Sequence, residues 1–166
     1  MLKLASYRSR LFDTAAGGRK SRRSAALWAG LTAGLAMAMA LMVWTRFTAG
    51  SAWVFPNLVS ALWLGDGAAG RRLGGPTLLG LATHLIASGA VGLGSIPFLR
   101  DLPVRRKIAT ATVLGLAAYP LVFGFVLPWT HPLMLQETSV PPMAFAHALF
   151  GLVLGGVYVR LRRSVR

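Results

Sequence analysis

Two histidines, His84 and His147, lie deep inside long apolar runs of this 166-residue chain, and chemistry would start from them. An ionisable group at such depth is costly to hold in hydrocarbon, so it usually turns toward the protein interior and is a functional candidate by default. Taken as helices rising about 1.5 Å per residue, the two runs place His84 about 10 Å and His147 about 8 Å from their starts, at one common level. His84 shares a helical face with Gly80 and Ser88, and His147 with Gly151, which would turn both rings toward neighbouring helices. Tyr119, on a face with Thr112 and Gly115, reaches a similar level. Three kinds of chemistry suit the pair. Each neutral ring can donate a hydrogen bond to the next helix and fix packing. Two rings on different helices can ligate a b-type haem from both sides. A transition-metal site or proton relay can form with His131, Glu137 or Asp66, because imidazole suits zinc and copper and titrates near neutral pH.

Other chemistries find no residues. Cysteine is absent, which removes disulfides, thiolate metal sites and cysteine nucleophiles together. The four acidic residues, Asp13, Asp66, Asp101 and Glu137, all stand outside the apolar runs, so no buried carboxylate pair is available for acid/base work or ion coupling. The glycines of 89–94 and 155–156 sit within apolar runs and match no phosphate-binding spacing. The expectation is a chain that is not an enzyme.

The elements that must hold the histidines follow from composition. With 55% apolar and 13% charged residues and a mean hydropathy of +0.59, the chain has too little polar surface to coat a soluble globule. Its apolar runs cover residues 24–45, 77–99, 108–130 and 142–159. The first, taken as a helix, is about 33 Å long against a hydrocarbon core of about 30 Å, and the last has least margin. Pro76 and Pro142 fall where helices would begin, Pro97 and Pro128 near where they would finish. The fold class expected is an all-α antiparallel bundle of four transmembrane helices, residues 24–160. A basic N-terminal segment (1–23) and a basic tail (161–166) flank it.

Fifteen of the eighteen Lys and Arg residues lie before the first run, between the second and third, or after the fourth. Cations are retained on the cytoplasmic side during insertion, so both termini are expected there, in a bacterial inner membrane. The net charge of +14 flanks apolar segments instead of covering a polar face, which points away from nucleic acid. Arg19, Lys20, Arg22, Arg23, Arg105, Arg106, Lys107, Arg160, Arg162 and Arg163 are the candidates for anionic lipid head groups. Trp44, Trp53, Trp63 and Trp129 gather at the outer boundary, and Trp28, Phe98 and Tyr158 at the inner one.

Small residues indicate helix contacts. Gly30, Gly34 and Ala38 recur every four residues in the first span, Gly151 and Gly155 in the fourth, and such grooves let another backbone approach closely. Pro120 should kink the third span by removing one backbone donor and crowding the carbonyl of Leu116. In the first loop, Pro56 opens a helix too short to cross, with Leu58, Val59, Leu62 and Trp63 on one face and Asn57, Ser60 and Ala61 facing away. That helix is expected to lie in the outer interface or tuck back onto the bundle. The first twenty residues are expected to lack order unless a lipid surface or partner holds them. Ser21-Arg22-Arg23-Ser24 ahead of Ala38-Met39-Ala40 has the look of an export signal. The apolar run continues through Leu41 to Trp44, however, and fits a retained anchor better.

The Gly- and Met-rich first span (Gly30-Leu31-Thr32-Ala33-Gly34 with Met37, Met39 and Met42), Thr83-His84-Leu85 in the second and residues 146–158 in the last resemble uncharacterised families of small four-span bacterial inner-membrane proteins. The resemblance covers residues 24–160 and implies no activity. The role expected is a non-catalytic accessory, assembly or stabilising subunit partnered by lipids and other membrane subunits, without a cofactor. Two alternatives stay open: a haem- or metal-binding membrane protein using His84 and His147, and a small-solute permease or channel built as an oligomer.

Overall fold

A computed structural model describes the backbone of residues 2–163 and the side chains of residues 20–162. Among these residues the chain is helical with no strand: α1 (Leu2–Thr48), α2 (Val54–Leu64), α3 (Gly75–Gly94), α4 (Ile96–Leu99), α5 (Val104–Leu121), α6 (Leu127–Thr130), α7 (Pro132–Glu137) and α8 (Val140–Arg163). Four helical stretches are long and apolar enough to cross a membrane: Lys20–Thr48, Gly75–Gly94, Val104–Thr130 and Val140–Arg162.

Several boundaries depart from the sequence reading. Helix α1 begins at Leu2, so the backbone of residues 2–20 is helical; no proline interrupts the segment, and its Leu, Ala, Arg and Lys residues are good helix formers. The second span ends at Gly94. Pro97 lacks an N–H and keeps the residue before it from continuing a helix smoothly, and Ser95 donates its hydroxyl to the Gly92 carbonyl at 2.7 Å. Pro120 lies inside α5, and the helix widens into a π turn at Val122–Val126 immediately afterwards.

The spans form a row in which each packs antiparallel to its neighbour. Helix α1 touches α3 and α8, α8 touches α5, and α2 lies along α3. Apolar side chains gain little from meeting each other in lipid, so these contacts depend on backbones coming close. A Cβ on Gly30 would overlap the carbonyl of Ser88, and one on Gly92 would stand 2.8 Å from the Cα of Gly30, so the two glycines meet face to face. On the other side of the row, a Cβ on Gly115 would lie 2.9 Å from the Cα of Gly151, and one on Gly155 would lie 2.8 Å from the Cα of Ile108. Ala38 is buried, with Leu41 one turn beyond it. At one end of the row Arg162 Nη1 donates to Ser21 Oγ at 3.2 Å, tying the last turns of α8 to α1.

Among the described residues, α3 and α5 share no comparable interface. The row is a four-helix arrangement left open between those two helices, and the candidate site occupies the opening.

If close approach holds the row together, Gly151→Ala, whose new methyl would strike the Ala111 carbonyl, should cost about 1–3 kcal/mol as overpacking. Gly156→Ala points into open space and should cost nothing measurable. Unfolding midpoints of both variants in one detergent check this.

Candidate functional site

The line along which α1 and α3 touch leads directly to His84. Gly34 has no side chain to cover its own carbonyl, and the Nε2–H of His84 donates to that oxygen at 3.0 Å. One turn along α3, Ser88 donates its hydroxyl to the His84 carbonyl at 2.7 Å and packs against Gly34. Phe55 of α2 meets the imidazole edge-on, with ring centres 5.4 Å apart and planes at 83°.

His147 stands on α8 and is buried. Its Nδ1–H donates to the Met143 carbonyl one turn earlier at 2.8 Å. Tyr119 and Phe123, on either side of the α5 boundary, flank the ring with centres at 5.5 and 6.2 Å. His131, which the sequence assigns to an outer loop, is buried as well, and its Nε2–H donates to the Leu58 carbonyl of α2 at 2.7 Å. It ties the turn between α6 and α7 to α2.

These three rings line a single cavity of about 340 Å³ between α3 and α5, otherwise walled by apolar side chains from α1, α2 and α8. A carbonyl only accepts, so each histidine's bonded nitrogen must carry the proton. In the neutral ring the other nitrogen is then an acceptor: Nδ1 in His84 and His131, Nε2 in His147. Among the described residues no protein group donates to these nitrogens, and no buried side-chain nitrogen or oxygen lacks a partner, so the free nitrogens retain access to the cavity. They are the atoms that could meet a cofactor or ligand. Asp66 and Glu137 do not join them; with Arg71 they line a separate hollow of about 300 Å³. Among the described residues no three His, Asp or Glu side chains gather closely enough to hold a metal ion.

Helix α2 presents a different face from the one its apolar residues suggest. Asn57, Ser60 and Ala61 are buried with Leu58, whereas Trp63 is 63% exposed. The reason is a polar cluster. Asn57 Nδ2 donates to the carbonyls of Gly70 and Arg72 at 2.8 and 2.9 Å, and its Oδ1 accepts from the Thr77 hydroxyl at 2.6 Å. Ser60 donates to the Asn57 carbonyl at 2.7 Å, and Gly80 of α3 lies hard against the Pro56 carbonyl. The cluster pulls α2 onto α3 and closes the loop over it, so α2 packs along the first turns of α3 and supplies Phe55 to the cavity. The tryptophan Nε1–H of Trp63 still finds a partner, the Thr83 hydroxyl, at 2.9 Å. The tertiary bonds of Asn57 and His131 are what the sequence reading missed. The available signal was an Asn beside Pro56 in an apolar segment, and a His at a helix end followed by Pro132.

The candidate head-group cations collect at the end of the row where Arg162 meets Ser21. Lys20, Arg23, Arg105, Arg106 and Arg160 are exposed there, Arg22 is half-buried, and Lys107 Nζ donates to the Leu102 carbonyl. The side chains of Arg19 and Arg163 fall outside the described residues. Tyr158, expected at the boundary, is 1% exposed and belongs to the core beside Leu99 and Leu154. The small residues Ala25, Ala26 and Ala29 of α1 in the same cluster leave room for a large ring, so it fills the interior there.

No protein-family model, curated protein or solved structure matches this chain.

Replacing Asn57 by Ala strands two loop carbonyls and the Thr77 hydroxyl, at a cost of about 1–3 kcal/mol. The variant should be cut by protease between residues 65 and 74 markedly faster than the parent, and Asn57→Asp, whose second carboxylate oxygen would face the same two carbonyls, at least as fast.

Proposed function

We propose that this polytopic membrane protein is a non-catalytic accessory or stabilising subunit of a larger complex in a bacterial inner membrane, arranged as an open antiparallel bundle with both termini cytoplasmic. One observation carries the reading: the row of spans is unfinished. The chain buries 44% of the apolar stretch of its first span but only 28% of the second and 17% of the third, so α3 and α5 stand at the flanks with most of their apolar surface uncovered by the chain itself. A small protein with two bare flanks, little soluble mass and no cluster of catalytic groups offers mainly helix surface to other proteins. The gathering of cations at the end shared by residues 20–23, the 100–107 turn and residues 160–162 supports the orientation, and α2, folded onto α3, then lies toward the outer boundary.

A second reading rests on His84 and His147 lining one cavity. Their free nitrogens are of the kind that ligate a b-type haem, and their bonded nitrogens already have the carbonyl partners that orient such ligands. Purified protein with a Soret band lost in both His84→Ala and His147→Ala would establish it.

For the subunit reading, membranes extracted in mild detergent and run on a native gel should show the chain in a band well above its own micelle, with another membrane protein in fixed ratio. A monomer at every detergent level and in lipid nanodiscs would overturn it. Orientation is tested separately, helped by the natural lack of cysteine. An impermeant maleimide added to intact spheroplasts should label Ala68→Cys and leave Asp101→Cys unlabelled until the membrane is opened.

A further inference from the structure

The cavity between α3 and α5 has an unusual polar character: its imidazoles offer acceptors and withhold donors. His84 on one wall and His147 on another each commit their ring N–H to a backbone carbonyl, Gly34 and Met143 respectively, which leaves the other nitrogen of each cavity-lining ring an acceptor. Among the described residues, only the Thr83 hydroxyl, which accepts from Trp63 Nε1 at 2.9 Å, keeps a proton to offer the space. Ser88 and Thr130 donate to the carbonyls of His84 and Val126 at 2.7 and 2.9 Å. The remaining surface is apolar, and three of its side chains are aromatic: Phe55, Phe123 and Phe150, from three different elements. Such rings favour an aromatic guest met edge-on or offset over an aliphatic one. The opening lies between two spans whose flanks are apolar, so a guest would arrive from the lipid phase.

We propose that this cavity binds an alkylated aromatic diol of the hydroquinone class, one hydroxyl donating to Nδ1 of His84 and the other to Nε2 of His147. The chemistry discriminates among related guests. A quinone of the same skeleton brings two carbonyl acceptors against two lone pairs, and neither ring can switch tautomer without giving up its bond to Gly34 or Met143. A phenol satisfies one nitrogen and leaves the other bare. The diol satisfies both.

The test uses the full-length protein in detergent micelles under anaerobic, reducing conditions. Decylhydroquinone, 4-decylphenol and, without reductant, decylbenzoquinone are titrated by calorimetry. The diol should bind about tenfold more tightly than the phenol, one hydrogen bond's difference, and the quinone should be weaker than both. His84→Leu and His147→Leu should each bring the diol down to the affinity of the phenol. Ala118→Trp, which fills the cavity and touches neither imidazole's carbonyl bond, should abolish binding of all three probes. Equal affinity for diol and quinone, diol binding that survives Ala118→Trp, or a haem Soret band in the purified protein would each overturn the proposal. Should the histidine variants fail to fold, the probe series on the parent protein still decides. The outcome is independent of the subunit reading, since a monomer can bind the diol and a complexed subunit can fail to.

Discussion

Backbone-to-backbone approach at glycine is the constraint on which the rest of this structure depends. Two spans in lipid have no hydrophobic reason to associate, because the tails around them are as apolar as their own side chains. They associate here where side chains are missing, Gly30 against Gly92 and Gly115 against Gly151, so that dispersion contacts accumulate over whole turns of backbone. The consequence is directional. Glycine stripes join α1 to α3 and α5 to α8, α1 packs along α8 as well, and α3 and α5 share no comparable interface among the described residues. The opening between them results from where the glycines lie.

That arrangement gives the histidines their position. The carbonyl of Gly34 is reachable because the residue carrying it has no side chain, and Ser88, one turn from His84, fills the same gap. A polar bond of this kind inside an apolar stretch contributes modestly, about a kcal/mol, but it is directional where dispersion is not. His131 does for α2 what His84 does for α1, fixing a carbonyl at a distance of 73 residues in the chain. His84 and His131 therefore act as struts between elements, while His147 bonds within its own helix, and each ring leaves one nitrogen unengaged.

How much of this was legible in the sequence depends on which interaction decided each feature. The four spans were, because length and apolarity are local properties and a bilayer tests only those. His84 and His147 were conspicuous because an imidazole in an apolar run is locally odd. The face of α2 was not legible. Counting apolar residues placed Asn57, Ser60 and Ala61 outward, but Asn57 is drawn inward by the Gly70 and Arg72 carbonyls, thirteen and fifteen residues away, which no periodicity records. Tyr158 is similar: an aromatic at a span end normally marks the boundary, and only the small residues opposite it, on a helix more than a hundred residues earlier, make room for it in the core. His131 was conspicuous only as an outer-loop partner for a metal site or relay; its bond to the Leu58 carbonyl depends on the return of α6 and α7 over the cavity, a tertiary event.

A histidine that is both strut and acceptor links packing to binding in one residue. Because the carbonyl of Gly34 fixes which nitrogen of His84 is protonated, the contact between α1 and α3 also sets the hydrogen-bonding sense of the cavity wall. Were α1 to slide by one residue along α3, the Gly34 carbonyl would leave the ring, the tautomer would be free to change, and the wall could present a donor instead. The glycine contacts resist that slide, since moving either helix pushes a Cβ of a neighbouring residue into the space that Gly30 and Gly92 leave empty. Specificity at the cavity is thus set by residues that never touch a guest, through backbone geometry that tolerates little displacement.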